Sequence, residues 1–432
     1  MADLHKLAEM LKELDDLLVG CMRCGMCQAV CPVFGQTGLE TDVTRGKLAL
    51  LDGLAKEMLK DPEGVNEKLN RCLLCGTCEA NCPSGVKIMD IFLKGRAIMT
   101  GYFGLTPVKQ VIFRGMLSNP KLFNALTGMG SKFQGLLTKK VDDMLGSSCA
   151  RFNSPVIGDR HFSTLAKKPL HKIVPEMNTP AGKSGLKVAF YTGCVIDKIY
   201  PHVGEAVLDV LNRKGVGVYM PANQACCGIP ALSSGDTETF DKLVVHNMKL
   251  FAEGDFDYLI TACATCTATL KELWPRMFSG DSAVKYDIGK LEKKVMDISQ
   301  FLVDVLHVEP IEKTSCESVT YHDPCHLKNS LGIISQPRAM IAAAGCEFKE
   351  MTEAGVCCGC GGSFNIAHYD ISKKIGVRKA ENIMNSGAQT LATSCPACML
   401  QITDMLSQKK AGIEVKHVIE LYADQLSGQD SK

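Results

Sequence analysis

Several absences narrow the function of this chain before any motif is read. Its 48 basic and 47 acidic residues leave a formal net charge of +1, so no surplus of one sign recruits a phosphate backbone and no nucleic-acid partner is expected. No uncharged apolar run reaches the roughly 18 residues that a membrane span requires. The chain opens MADLHKLAEMLKELDDLL, acidic and amphipathic, where a secretory leader would be basic and then apolar. A soluble chain in a reducing compartment is therefore expected, cytoplasmic or peripheral on the inner face of the cell membrane. No G-x-G-x-x-G follows a strand pattern in a dinucleotide-binding context, so this chain is not expected to hold a flavin or a nicotinamide. The single tryptophan, Trp274, reads as a core residue.

Against these absences stand 22 cysteines in 432 residues. A secreted disulfide scaffold would be shorter and denser in cysteine, and in a reducing compartment so many thiols most often bind metal. Pattern divides the chain into four parts. Residues 1–100 are helical in period and interrupted by two dense cysteine clusters. Residues 101–186 read as a basic helical connector followed by a linker rich in proline, serine, glycine and lysine. Residues 187–312 and 317–432 alternate short β-rich runs with helical ones, as layered α/β units do. The expected fold is thus multi-domain: an all-α ferredoxin-like unit, then two tandem α/β units.

The last two parts are copies of each other. Cys194, Cys226, Cys227, Cys263 and Cys266 recur as Cys325, Cys357, Cys358, Cys395 and Cys398, at an offset of 131 residues for the first three and 132 for the last two. The surrounding strings repeat as well: VAFYTGC against VTYHDPC, CCGIP against CCGCGG, LITACATC against LATSCPAC. In the first copy KVAFYTG, VGVYMP and FDYLITA read as strands. Helices over HVGEAVLDVLNRKG, closed by Gly215, and TETFDKLVVHNMKLFAEG separate them. Phe240, Leu243, Val244, Met248 and Phe251 share one face of the second helix. Each cysteine group follows a strand, so parallel strands would deliver all of them to one sheet edge, where open α/β sheets hold ligands.

The N-terminal clusters are CMRCGMCQAVCP (Cys21, Cys24, Cys27, Cys31) and CLLCGTCEANCP (Cys72, Cys75, Cys78, Cys82). Both fit the ferredoxin spacing C-x2-C-x2-C-x3-C-P, in which three close thiolates hold one face of a [4Fe–4S] cube and the fourth serves the other cube. One cube is expected on Cys21, Cys24, Cys27 and Cys82, the other on Cys72, Cys75, Cys78 and Cys31. Zinc has no use for the third thiolate or the Cys-Pro. In the C-terminal copies the adjacent cysteines cannot both grip one small ion, because neighbouring side chains diverge. A large or irregular iron–sulfur cluster can use both, one on either side, with Gly228 allowing the backbone close to sulfide.

The duplicated pattern of Cys, Cys-Cys-Gly and Cys-x-x-Cys resembles the cysteine-rich CCG domain pair of heterodisulfide reductase catalytic subunits. Fused behind a two-cluster ferredoxin unit, it is similar to the iron–sulfur subunits of glycolate oxidase and respiratory lactate dehydrogenase, with DVTRGKLALLDG, CPSGVKIMD and CCGIPALSSGD as supporting strings. The resemblance implies that Cys194, Cys226, Cys227, Cys263 and Cys266 hold one non-cubane cluster, and Cys325, Cys357, Cys358, Cys395 and Cys398 another. Cys360 is an extra thiol beside the second set. The resemblance further implies an electron-transfer subunit of an oxidoreductase complex. Its partner would be an FAD-containing 2-hydroxy-acid dehydrogenase subunit, and its acceptor a quinone or a membrane-bound carrier. The alternatives are disulfide cleavage at the CCG clusters in this chain, and service to an anaerobic glycerol-3-phosphate dehydrogenase.

Other residues carry less. His322 and His326 flank Cys325 and are either hydrogen-bond donors to cluster sulfur or polar residues at a strand end. Cys149, Cys316 and Cys346 lie outside every motif. Between Ile91 and Val141 stand eight basic residues and no acidic one (Lys94, Arg96, Lys109, Arg114, Lys121, Lys132, Lys139, Lys140). The expectation there is a helical pair bracing the ferredoxin unit against the CCG pair with its lysines in solvent, the alternative a face for a membrane or an acidic partner.

Overall fold

The computed structural model describes residues 4–152, 158–311 and 316–429. From Leu4 to Phe103 every regular element is helical. Helices Leu4–Leu11, Thr44–Ala55, Pro62–Asn70 and Ile88–Phe103 bury Leu7, Leu11, Leu51, Leu69, Ile91 and Phe92 against one another. The cysteine loops run between these helices, so the core positions the loops without passing through them.

The connector does two things. Its first part, Val111–Leu117, turns Phe113 and Leu117 inward, and Arg114 reaches Asp236 and Glu238 of the first copy at 3.5 Å each. That part braces as expected. The following helix, Pro120–Leu137, has no fully buried residue, and Met129, Phe133, Leu136 and Leu137 are 58 to 70% exposed.

Residues 138–178, expected to end as linker, instead build strands. β1 (Thr138–Asp142), β2 (Ser147–Ala150) and β3 (Phe162–Ser163) form an antiparallel sheet. Serine content here marks side-chain hydrogen bonding rather than a solvated tether: Ser147 is buried with its Oγ 2.6 Å from that of Ser407. β4 (Met177–Asn178) then joins the first copy as an antiparallel edge.

In the first copy β5 (Lys187–Phe190), β6 (Gly217–Met220), β7 (Tyr258–Thr261) and β8 (Val295–Asp297) are parallel, in the order β4-β6-β5-β7-β8. Helix Thr237–Ala252 buries Phe240, Leu243, Val244, Met248 and Phe251, the face its period predicts. The second copy repeats the plan with β9 (Val319–His322), β10 (Thr390–Thr393) and β11 (Glu414–His417), all parallel. Its counterpart of β6 shrinks to one parallel bridge, Val319 to Phe348. Charged Glu347 and Lys349 flank Phe348 and favour the sheet's outer margin over a longer buried strand.

Candidate metal centres

Cys21, Cys24, Cys27 and Cys82 line one cavity of the helical unit, and Cys31, Cys72, Cys75 and Cys78 line a second. Cys82 thus stands with the first motif and Cys31 with the second, while Cys78 touches both cavities. Burial pushes the Cys31 thiol up to about 12 and raises that of Cys78. Lys47 is buried against the second cavity, donates to the Asp42 carbonyl and faces the thiols of Cys72 and Cys31. Asp42, Thr44 and Lys47 all come from the DVTRGK string, and Thr44 hydrogen-bonds Cys78.

This donor set fits a cube. Four soft ligands surround one enclosed space, burial that penalises a lone thiolate is relieved once iron shares its charge, and a buried ammonium offsets what negative charge remains.

In each C-terminal copy the cysteine groups follow parallel strands to one edge. Cys194 follows β5, Cys226 and Cys227 follow β6, and Cys263 and Cys266 follow β7. The adjacent thiols, rather than pointing to opposite faces, hydrogen-bond each other in both copies. Cys194 donates toward Cys226, 4.0 Å away, and hydrogen bonding with Cys194 and Cys227 raises the Cys226 thiol. Cys227 is held well below the usual thiol range by hydrogen bonds from Cys226 and Cys266. In the second copy Cys357 meets Cys325, and Cys358 is depressed by hydrogen bonds from Cys357 and Cys398. Each copy is therefore a set of mutually hydrogen-bonded thiols, with Cys227 in the first copy and Cys358 and Cys395 in the second held low by those bonds, as suits thiols that give up protons to a metal.

Glycine after the pair serves a purpose beyond the expected one. Gly228 and Gly359 take φ of +94° and +92°, where a Cβ would meet Phe240 Cδ2 at 2.6 Å and the Ser372 carbonyl at 2.8 Å respectively. Left-handed backbone and core packing by themselves require glycine there. The turn brings an amide onto the second sulfur in both copies: Ile229 N–H donates to Cys227, and Cys360 N–H to Cys358. Cys360 is thus the counterpart of Ile229, and burial raises its own thiol.

The four sets adjoin in an order that the chain's numbering does not suggest. The Cys75 thiol contacts that of Cys357, so the second N-terminal set abuts the second copy. The Cys263 thiol contacts that of Cys395, so the second copy abuts the first. The spatial order is first motif, second motif, second copy, first copy.

Neither flanking histidine hydrogen-bonds a sulfur. His326 Nε2–H donates to the Leu74 carbonyl at 3.1 Å, and its Nδ1 lies 3.2 Å from Thr265 Oγ1, stitching three units together. His322 Nδ1 lies 3.1 Å from the Ala354 carbonyl, and burial lowers its pKa to about 3. Trp274 is fully buried, as expected, and its Nε1–H also donates to the Cys227 carbonyl at 2.9 Å. Cys149 sits half-buried on β2, and Cys316 pairs with Cys346 in a disulfide. Sequence reasoning missed the buried cations. Lys379, 2% exposed, faces Cys358, Cys357 and Cys398, and burial lowers its pKa to about 8. Arg96 donates to the Cys72 carbonyl at 2.9 Å. Both look like ordinary surface charges on amphipathic helices until tertiary packing is known.

With this geometry in hand, likeness to known proteins becomes informative. The 4Fe-4S dicluster domain matches residues 18–86, and the cysteine-rich CCG domain matches residues 188–271 and again 319–403. The chain is 30% identical over 409 residues to the probable glycolate oxidase iron-sulfur subunit of Bacillus subtilis, covering 92% of this chain and 89% of that protein. It is 29% identical to a subunit of the CoM/CoB fumarate reductase of Methanothermobacter marburgensis, over 94% of this chain and 71% of that one. Lactate utilization protein A of Geobacillus kaustophilus matches at 34% over 55% of this chain and 98% of its own length. Among solved structures, a hypothetical protein from Helicobacter pylori shares the fold at 12% identity, with a TM-score of 0.50 over 97% of this chain and 76% of that one. The two domain types make this an iron–sulfur protein.

Proposed function

Because the chain belongs to the family of glycolate oxidase iron–sulfur subunits, we propose that it is the electron-transfer subunit of an FAD-linked 2-hydroxy-acid dehydrogenase, serving a quinone or membrane-bound acceptor. The observation that carries this reading is the unbroken order of thiol sets, in which Cys78, the Cys75–Cys357 contact and the Cys263–Cys395 contact join one set to the next. Cys21, Cys24, Cys27 and Cys82 would hold one [4Fe–4S] cluster, and Cys31, Cys72, Cys75 and Cys78 another. Cys194, Cys226, Cys227, Cys263 and Cys266, and Cys325, Cys357, Cys358, Cys395 and Cys398, would hold one or two further clusters. Bound clusters supply reversible one-electron redox chemistry. The chain's residues fix the ligand positions, keep water out and set the charge around each set: Lys47 and Arg96 beside the second motif, Lys379 beside the second copy.

The two ends of the array differ, and each suits a different neighbour. At one end Cys24, Met22 and Met26 are exposed, and we assign the flavoprotein to that face. At the other, Cys194 and Cys226 lie under Leu117 and Phe123 of the connector, whose outer face combines exposed Phe133, Leu136 and Leu137 with Lys132, Lys139 and Lys140. Among the described residues no helix is long and apolar enough to cross a membrane, so attachment there would be peripheral. Aspartate at Phe133, Leu136 and Leu137 should weaken binding to vesicles with anionic lipid by about tenfold or more, since three apolar contacts are lost next to basic residues. Their exposure means that iron content and melting should stay as in the parent protein. Unchanged sedimentation with vesicles would remove this face as the attachment surface.

A second reading is favoured by one feature, a groove lined by Cys31, Thr77, Lys328, Cys357, Arg378 and Lys379 that runs up to the buried Cys357. Disulfide cleavage in this chain would need such an approach. One experiment separates the two. In the relay reading, lactate or glycolate bleaches the visible absorption of the anaerobically purified chain only when a flavin-bearing partner is present. A change in cluster signal when a disulfide is added to the isolated chain would favour cleavage instead.

A further inference from the structure

The two copies are not equivalent at the position three residues before their first cysteine. The first copy places Tyr191 there, fully buried, with its hydroxyl donating to the Ala225 carbonyl at 2.6 Å. The second places His322, also fully buried, and its Nδ1 lies 3.1 Å from the Ala354 carbonyl. A carbonyl oxygen only accepts, so Nδ1 carries the proton and Nε2 presents a bare lone pair. That nitrogen has no hydrogen-bond partner among the described residues. The imidazole and the sulfurs of Cys358 and Cys398 nevertheless offer ligand atoms all within 4.8 Å of one another. Cys398 shares hydrogen bonds with Cys358 and Cys395.

A buried acceptor nitrogen and two cysteine sulfurs converging on one small space are matched by a cation lying between them. A neutral histidine that donates its other N–H to a backbone carbonyl is in the arrangement that metal-bound imidazoles adopt, the carbonyl fixing tautomer and ring orientation. We propose that His322 Nε2 is a direct ligand to an iron of the cluster in the second copy, making that centre mixed nitrogen–sulfur while the first copy, with Tyr191, is all-thiolate. The inference rests on the reading above that Cys325, Cys357, Cys358, Cys395 and Cys398 hold a cluster. A neutral imidazole joined to the same five cysteines brings a nitrogen donor without a further negative charge, a difference in ligand set that would set the two copies apart as carriers.

The test uses the full chain, isolated anaerobically with its clusters, labelled with 15N-histidine and poised across a range of potentials for pulsed electron paramagnetic resonance. A directly bound 15N coupling is expected on the second-copy centre. It should vanish in His322→Ala and in His322→Tyr, which imports the first copy's residue at the matching place. Adding 15N-imidazole to His322→Ala should restore it. A second-copy signal with parent iron content but no bound nitrogen, or a coupling that survives in His322→Ala, overturns the ligand assignment while leaving the relay reading intact. Stoichiometric zinc at this site overturns it too. Iron sufficient only for the two N-terminal cubes, about eight per chain, overturns both.

Discussion

Alanine at Arg96 is expected to cost about 3–5 kcal/mol of folding free energy, read as a lower denaturant midpoint with iron bound. The residue is 4% exposed, and its guanidinium has no carboxylate partner among the described residues. Its donors go to carbonyls: Leu69 at 2.9 Å in the last turn of helix Pro62–Asn70, Cys72 at 2.9 Å just past its end, and Ser233 at 2.8 Å in the first copy. One side chain thus closes a helix, orients the loop of the second motif and ties that loop to the turn after Cys226 and Cys227. Truncation strands several buried acceptors at once, each costing about 1–3 kcal/mol when unsatisfied. Lysine keeps the charge but has no planar fork, so Arg96→Lys should recover only part of the loss. A midpoint within about 1 kcal/mol of the parent in Arg96→Ala would show that water replaces the guanidinium there.

That clamp illustrates where the sequence is legible and where it is not. Strand ends carrying Cys194, Cys263, Cys325 and Cys395 can be read from period and punctuation, because a parallel strand and its following loop are specified locally. The contact between the Cys226 and Cys227 thiols is not legible, since extended backbone geometry alone would send the two side chains apart. The reason for Gly228 is not either, because Phe240 reaches it from a helix that begins nine residues later. Least legible is the order of the thiol sets. It depends on docking the second motif's loop against the second copy, through His326 to Leu74 and Asn329 to the Cys75 carbonyl at 2.9 Å. Those contacts span about 250 residues of chain, and neither histidine nor asparagine carries a signature that announces such a partner. The connector shows the opposite failure. Its basic, apolar pattern is plain in the sequence, but which side of the helix Pro120–Leu137 is covered depends on the curvature of its surroundings.

Serine at Cys82 should remove the cluster of the first motif and spare that of the second, although Cys82 belongs to the second motif in sequence. Its thiol lines the cavity of Cys21, Cys24 and Cys27, whereas the other cavity keeps Cys31, Cys72, Cys75 and Cys78 intact. Iron and acid-labile sulfide should each fall by about four per chain, and the magnetic signal that persists should be the one lost in Cys31→Ser. The two variants should also differ in what they disconnect. Cys82→Ser removes the exposed end assigned to the flavoprotein, so reduction through that partner should fall sharply while the remaining centres still respond to a small chemical reductant. Cys31→Ser opens a gap inside the array, so the first-motif centre should still be reduced by the partner and the centres of both copies should not. If Cys82→Ser instead depletes the second motif's centre, the crossing of ligands between motifs is wrong. If Cys31→Ser leaves both copies reducible through the partner, electrons do not follow the thiol order, and the contact between Cys75 and Cys357 would be packing alone.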